Sequence, residues 1–216
     1  MAQPYYILMA DVRRSRKHDA NILMPAFEEL VRQTNVQIST AEQVVAPLTI
    51  SLGDECQAIF ESLYNAVKCI LKLEQNTRLS VYGFRLRFVL NYGMIDSEIL
   101  GQPSRNMLGM GLIQARDLLQ GLKKSQRSRF IFSCRREEDT QFLNNAFLIY
   151  NKITKNWKAK DRELIAGFLE HRDYKKVAEY LDRDRSLVWR REKSLWMRQF
   201  FALEEMILAY CRASGQ

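Results

Sequence analysis

The sequence predicts a mixed α+β domain followed by an all-α domain. Apolar runs and alternating segments that are typical of strands occur only before residue 134. Amphipathic segments with helical spacing separate these strands, which predicts a sandwich of helices on one sheet. From residue 135 to Tyr210 the pattern is helical throughout, with no candidate for a strand. These three observations together predict the fold class.

Each strand and helix of the first part has its own signal in the sequence. The first strand is a continuous apolar run that ends in charge, and the strand after Gly83 alternates apolar and polar residues. The helices repeat apolar residues at spacings of three and four. Gly53 and Asp54 form a tight turn between two short strands. The predicted order is strand 5–12, helix 21–37, hairpin strands 48–52 and 55–60, helix 63–73, strand 84–92, polar connection 96–107, helix 111–122 and strand 129–133.

The composition excludes several classes of protein and favours an anionic partner. The 216 residues are 47% hydrophobic and 27% charged, which is typical of a globular protein and not of a disordered or collagen-like chain. The net charge of +8 favours nucleic acid, a nucleotide or a membrane surface as partner. No apolar segment is long enough to span a bilayer. The four cysteines lack zinc spacing, which, without a signal peptide, predicts a cytoplasmic protein with reduced thiols and no membrane partner.

Three acidic residues stand where strands of the predicted sheet end. Asp11 closes the first strand, and Asp54 with Glu55 lies at the tip of the hairpin. If the first strand pairs beside that hairpin, Asp11 and Asp54 meet at one edge of the sheet. Converging carboxylates favour a hard cation such as Mg²⁺ or Mn²⁺, and the basic segment 12–17 offers donors for phosphate oxygens. Taken alone, each acidic residue is more typical of ordinary turn chemistry, and composition and spacing by themselves do not favour metal–phosphate binding.

Four segments occur in an order and spacing that resemble a known family. They are ADVRRS (10–15), ISLGDECQAIF (50–60), LRFVLNYGMI (86–95) and GMGLIQARDLL (109–119). Their layout resembles the class III nucleotide cyclases and the GGDEF diguanylate cyclases. It is most similar to the SatD family, a bacterial group with an aspartate on the first strand and a Gly-Asp-Glu hairpin.

The resemblance implies a fold and a role for individual residues. Residues 1–134 would form a ferredoxin-like domain of the nucleotide cyclase palm type. Within it, Asp11 and Asp54 match metal-binding aspartates, and Glu55 matches a further metal ligand or catalytic base. Arg116 matches the arginine that stabilises charge in the transition state. The matches to the segment around the triphosphate are Val12, Arg14 and Ser15.

Three positions depart from the cyclase pattern. Leu112 stands where the cyclases have an asparagine, Ile50 where they have a purine-reading lysine, and Leu52 replaces the first glycine of the GGDEF signature. Loss of one electrostatic donor is worth about 10²-fold or more in rate. Binding of metal and nucleotide is therefore better supported than cyclisation, and Arg116 is as well explained by a salt bridge as by catalysis.

In residues 173–191 of the all-α part, Val177, Leu181 and Val188 have the spacing that packs two short helices across a turn. This stretch resembles the helix-turn-helix of sigma-factor region four. Asp182 stands where such turns place glycine, and aspartate tolerates the left-handed backbone better than most residues. The second helix would present a basic, partly aromatic face to DNA, and the alternative is a helical dimerisation module whose charged face is only solvated. That face consists of Arg185, Ser186, Trp189, Arg190 and Lys193.

The remaining residues predict the organisation of the whole chain. Residues 135–154 form a linker helix and residues 155–216 the helix-turn-helix domain. A last helix at residues 192–210 carries a long apolar stripe that predicts either a homodimer or packing on the chain's own helices. The favoured hypothesis is a DNA-binding transcriptional regulator with a degenerate cyclase-like domain that binds metal and nucleotide. The alternatives are an active nucleotidyl cyclase or transferase with a helical docking module, and a palm that only scaffolds dimerisation.

Overall fold

The computed structural model describes residues 3–38, 44–81, 83–96, 107–125 and 128–215. Strands and helices alternate up to Ser133, and only helices follow it within the described residues, so the predicted fold class is confirmed. Most of the predicted connection 96–107 lies outside them. The strands are β1 (Gln3–Val12), β2 (Val44–Leu52), β3 (Glu55–Phe60), β4 (Leu86–Ile95) and β5 (Phe130–Ser133). The helices are α1 (Ala20–Ile38), α2 (Leu63–Leu79), α3 (Met110–Ser125), α4 (Glu137–Lys155), α5 (Arg162–His171), α6 (Tyr174–Tyr180), α7 (Arg185–Ser194) and α8 (Met197–Ser214).

The five strands form one sheet in the order β2-β3-β1-β4-β5. Strands β1 to β4 pair antiparallel, and β5 joins β4 as a parallel edge strand. The succession β1-α1-β2-β3-α2-β4 with β1 and β3 at the centre is the ferredoxin-like arrangement. The predicted ferredoxin-like fold is confirmed by this strand order.

Among the described helices, α3 covers one face of the sheet. Its apolar residues pack on inward-facing residues of β1, β3 and β4, such as Ile7, Ile59 and Val89. The helix approaches β4 closely at Gly93 and Gly111, where a Cβ atom on Gly111 would lie 2.6 Å from the carbonyl carbon of Gly93. This contact fixes α3 over β1 and β4, and so fixes the charged residues at its far end.

The opposite face of the sheet shares one core with the helical half of the chain, which consists of α4 to α8. Helices α1, α2, α4 and α8 contribute to this core together with the sheet. A chain of aromatic rings, with successive centroids 4.7–5.5 Å apart, leads from the sheet into the helices. The predicted linker helix α4 is therefore part of the core, although the division into folding units stays a prediction. The rings are, in order, Phe88, Phe130, Phe147, Tyr150, Phe200 and Trp157.

The prediction of one continuous last helix at residues 192–210 is wrong. Helix α7 ends at Ser194, Trp196 has a left-handed backbone with φ 58°, and α8 begins at Met197. The Trp157 indole N–H donates to the Leu195 carbonyl at 2.9 Å, which satisfies a group that the break releases. The apolar stripe of α8 packs on α2 and α4, so the chain itself covers the face from which a homodimer was predicted.

All four cysteines are free thiols, as the scattered spacing predicted. In the described ranges, no helix combines the length and the apolar character needed to cross a bilayer. The cytoplasmic location stays a prediction.

Candidate functional site

Three strands bring three charged residues into one row beneath α3. The antiparallel register pairs Asp11 of β1 with Glu55 of β3 on one side and with Arg87 of β4 on the other. Directly paired residues of antiparallel strands project from the same face of a sheet. Lys123, near the end of α3, completes the group from above.

Asp11 is a buried carboxylate held between two cations. Its side chain is 1% exposed, with Oδ1 3.2 Å from Arg87 Nε and Oδ2 3.4 Å from Lys123 Nζ. Lys123 Nζ donates a hydrogen bond of 2.6 Å to Glu55 Oε1. Burial raises the pKa of Asp11 to about 6, against the opposing effects of Arg87 and Lys123. Burial alone would lower the pKa of Lys123, but Glu55 and Asp11 raise it.

The sequence-predicted pair Asp11 and Asp54 lines one cavity of about 490 Å³. The hairpin tip is tied to the end of β1 because the Val12 N–H donates to the Asp54 carbonyl at 3.0 Å. Asp54 also contributes to the raised pKa of Asp11 through its charge. The cavity is rich in cations, with five basic side chains against two acidic ones. Its lining residues are Asp11, Arg14, Ser15, Arg16, Lys17, Asp54, Arg87 and Lys123.

The predicted triphosphate segment is divided between the core and this cavity. Arg14 and Ser15 line the cavity, and Arg14 adopts a left-handed backbone with φ 59° that turns the chain after β1. Val12 does not line it. Its side chain lies in the core on the opposite face of the sheet, and its N–H already bonds Asp54.

Arg116 is not brought together with the aspartates. It is exposed and lines a different cavity of about 390 Å³ with Met9, Gln57 and Asp96. It lies seven positions before Lys123 on α3, which is about two turns or 10 Å along the helix. The two cavities therefore lie one after the other beneath the same helix, with Arg116 at one and Asp11 at the other.

Sequence reasoning missed Arg87 and Lys123. The alternation of the strand at 84–92 marks Arg87 as a polar position opposite a buried face, and pairing with the first strand would have set it beside Asp11. Lys123 gives no local signal, because a lysine in the last turn of a helix is ordinary.

The carboxylate of Asp11 is paired with side-chain cations in the structure. Within the part of the chain that the structure describes, no group of three or more acidic, histidine or cysteine side chains is arranged to hold an ion. Both oxygens of Asp11 instead face side-chain cations, and Glu55 is bonded to one of them. Mg²⁺ or Mn²⁺ stays a prediction from the resemblance.

The second candidate surface is the outward face of α7. All five residues predicted to contact DNA are exposed. The Asp184 carboxylate caps the helix by accepting from the Leu187 N–H at 2.9 Å and from the Ser186 hydroxyl at 2.5 Å. Lys193 Nζ lies 3.5 Å from the centroid of the Trp189 ring, which holds the two side chains together on the surface.

The turn before α7 has the geometry that the sequence predicted for it. Asp182 has φ 49°, in the left-handed region. Val177 of α6 and Val188 of α7 are fully buried, and a Cβ atom on Gly167 of α5 would lie 3.1 Å from Val177 Cγ1. Helices α5, α6 and α7 therefore pack as one unit that supports the basic face.

Comparisons with known proteins add only a general likeness. No protein-family model matches the sequence, and no curated protein matches it significantly, so membership of the SatD family stays a prediction. A structure titled as a bacterial light-regulated adenylyl cyclase is 14% identical at a TM-score of 0.46, covering 61% of this chain and 76% of its own. An adenylate/guanylate cyclase/hydrolase from Silicibacter pomeroyi is 22% identical at a TM-score of 0.40, covering 55% of this chain and 69% of its own. Because both TM-scores are below 0.5, these similarities say nothing about the activity of this chain. The fold is assigned from the strand order.

Proposed function

We propose that the chain is a DNA-binding regulatory protein whose α+β half binds a nucleotide. The observation that carries this proposal is the exposed basic face of α7, on a helix that is capped at its start and supported by two packed neighbours. A nucleotide would bind in the cavity at Asp11 through its phosphates. The finer assignment of the protein as a transcriptional regulator rests on the same face.

The face of α7 has the chemistry of a major-groove reader. Arg185, Trp189 and Lys193 follow one another at intervals of four residues, and Ser186 with Arg190 lies beside them. Arginine pairs with the edge of guanine, and lysine pairs with phosphate. Arg190 Nε donates to the Ser186 carbonyl of the preceding turn at 3.3 Å, and the side chain is exposed, so a partner could reach its guanidinium group.

The cavity at Asp11 has the charge of a polyphosphate site. Five cationic side chains line it, and Arg87 with Lys123 is already engaged by Asp11 and Glu55. Arg14, Arg16 and Lys17 remain as cations on the open side. Phosphate oxygens would face these three, with Ser15 as a hydroxyl donor. A divalent ion bound with the nucleotide would have to displace Lys123 from Asp11.

The DNA proposal is tested with two double variants that remove the same charge. R190A/K193A on α7 is expected to bind short duplex DNA more weakly and to lower the salt slope by about one for each phosphate contact removed. K152A/K155A on exposed positions of α4 is the matched control and is expected to keep the slope. Equal losses in the two variants would show that net charge, and not the α7 face, binds DNA.

The nucleotide proposal is tested by thermal shift and calorimetry with ATP and GTP, with and without Mg²⁺ or Mn²⁺. R16Q/K17Q is expected to weaken binding because both side chains lie on the open side of the cavity. Failure of every nucleotide to stabilise the wild type would remove the proposal for this half.

An active nucleotidyl cyclase or transferase is the second candidate function. The shared cavity of Asp11 and Asp54, with Arg14 and Ser15 beside them, favours it. The separate position of Arg116 counts against it. Product analysis after incubation with ATP or GTP decides between the two. A product that disappears in Asp54→Asn would establish the enzyme, and absence of any product in the wild type supports the binding role.

A further inference from the structure

A second cationic cavity lies on the other side of the sheet, away from Asp11. It has a volume of about 120 Å³ and is bounded by the end of α2, the start of β4 and the connection between α4 and α5. Four of its lining side chains are basic, and none of the described lining residues is acidic. The basic residues are Arg78, Arg85, Lys158 and Arg162, and the hydroxyl residues Thr77 and Ser80 line it as well.

The cations at this cavity exceed the carboxylates near them. Arg129 donates two hydrogen bonds of 2.7 and 2.9 Å to Glu74, so the negative charge of Glu74 is already balanced by Arg129. Arg78 Nη2 lies 3.6 Å from Glu74 and donates to the Thr154 hydroxyl at 3.1 Å. One buried carboxylate therefore serves three arginines, the third being Arg85.

Two of the lining arginines are incompletely compensated by the described residues. Burial, followed by the positive charges of Arg78 and Arg129, lowers the pKa of Arg85 to about 10. The Nε atom of Arg162 is buried and has no hydrogen-bond partner. Buried donors in native proteins are almost always paired, so the guanidinium of Arg162, which lines the cavity, is not fully satisfied by the described residues.

We infer that this cavity binds a phosphate group, either as free phosphate or as the terminal phosphoryl group of a small molecule. Planar guanidinium groups match the geometry of phosphate oxygens. The cavity has room for one tetrahedral anion and not for a length of nucleic acid backbone. Because Arg85 lies just before β4 and Arg162 begins α5, the bound anion would connect the sheet to the helical half.

The test is calorimetric titration of the full chain with inorganic phosphate and, separately, with glycerol phosphate, at constant ionic strength. The wild type is expected to give saturable binding of one anion at this cavity. R162Q/K158Q is expected to weaken it about tenfold or more because two charged donors are lost. Binding of phosphate alone would identify free anion as the ligand, and tighter binding of glycerol phosphate would identify a phosphomonoester.

The variant R16Q/K17Q, which alters the cavity at Asp11, separates this inference from the proposed nucleotide site. It is expected to retain phosphate binding at the second cavity. The inference is overturned if the wild type shows no saturable binding, if R162Q/K158Q binds as the wild type does, or if only R16Q/K17Q loses binding. The single variant K158Q, at an exposed position, is the second measurement if R162Q/K158Q does not fold, and it is expected to weaken binding as well.

Discussion

The buried ion pair between Glu74 and Arg129 offers a direct test of how the two halves are joined. Glu74 belongs to α2, and Arg129 immediately precedes β5. Arg129 also donates to the Leu86 carbonyl at 2.8 Å and to the Asn151 side chain of α4 at 3.0 Å. One guanidinium thus joins two strands, α2 and the first helix of the helical half. We predict that Glu74→Gln weakens this junction severely.

The magnitude follows from the burial of the pair. Both side chains are less than 5% exposed, so removing the carboxylate leaves a guanidinium that water cannot solvate. Breaking a buried pair by removing one partner costs about 3–5 kcal/mol. For a chain of this length each kcal/mol lowers the Tm by about 2–4 °C, which gives a loss of about 6–20 °C.

The assay is urea and thermal unfolding at pH 7, with Glu29→Gln as the matched control. Glu29 pairs with Arg32 at 2.7 Å on an exposed helix surface, where solvent screens the pair and its contribution to stability is small. Burial alone would raise the pKa of Glu74, but Arg129 and then Arg78 hold it below the usual value. The stabilisation is therefore present above the usual carboxyl pKa and is lost as pH falls through the native one. A loss in Glu74→Gln no larger than in Glu29→Gln would refute the reasoning.

Three further predictions test other features of the fold. Burial between α2 and α8 raises the pKa of Glu204 from 4.5 to about 7, so stability falls by about 3 kcal/mol as pH rises through that window. Glu204→Gln is expected to remove this part of the pH dependence in urea unfolding and to be more stable than the wild type at pH 8. A variant with the wild-type pH profile would contradict this prediction. The pH dependence that remains in the variant is expected to come from Asp11, because burial raises its pKa to about 6. Gly111→Ala should destabilise the fold by about 1–3 kcal/mol because the added Cβ overpacks against Gly93. Gly121→Ala, on the open side of the same helix, should stabilise it by about 0.5–1 kcal/mol. Equal Tm values for the two variants would count against the close approach of α3 to β4. Asp182→Val should cost about 1–2 kcal/mol and Asp182→Gly nothing, because the backbone there is left-handed; a harmless valine would show that the turn can relax.

The local elements were predictable because their signals are local. Apolar runs, helical spacing and the Gly53-Asp54 turn depend on neighbours in sequence, and the structure has a strand or helix at each predicted place. The left-handed Asp182 was predictable for the same reason, since few residue types tolerate that backbone. The break at Trp196 was not, because it depends on Trp157, which is 39 positions away and supplies the hydrogen bond that satisfies the released carbonyl.

The charge balance of the site could not be read from the same signals. The approach of Asp11 and Asp54 follows from strand pairing alone, so the sequence predicted it. Lys123 reaches Asp11 only because α3 lies tightly on β4 through Gly93 and Gly111. A contact set by the packing of a helix on a sheet has no periodicity in the sequence, and the cations that neutralise Asp11 were therefore missed.

The continuous core leads to a last prediction about the division of the chain at residue 134. In the structure, Phe130 of β5 packs on Phe147 and Tyr150 of α4, with ring centroids 4.8 and 6.1 Å apart. Truncating one such buried aromatic residue to alanine costs about 3–5 kcal/mol, and removing all of α4 and α8 would exceed the whole stability of about 5–15 kcal/mol of a typical domain.

A fragment of residues 1–134 is accordingly expected to lack a cooperative melt, and the full chain to unfold in a single transition by both circular dichroism and calorimetry. Two separated transitions, or a fragment with the near-ultraviolet spectrum of packed aromatic rings, would restore two independent domains. If the full chain unfolds in a single transition, the proposed nucleotide binding at Asp11 would be able to alter the proposed DNA binding at α7 without any rotation of one half against the other. The coupling would then be reciprocal, with DNA changing the nucleotide affinity by the same factor.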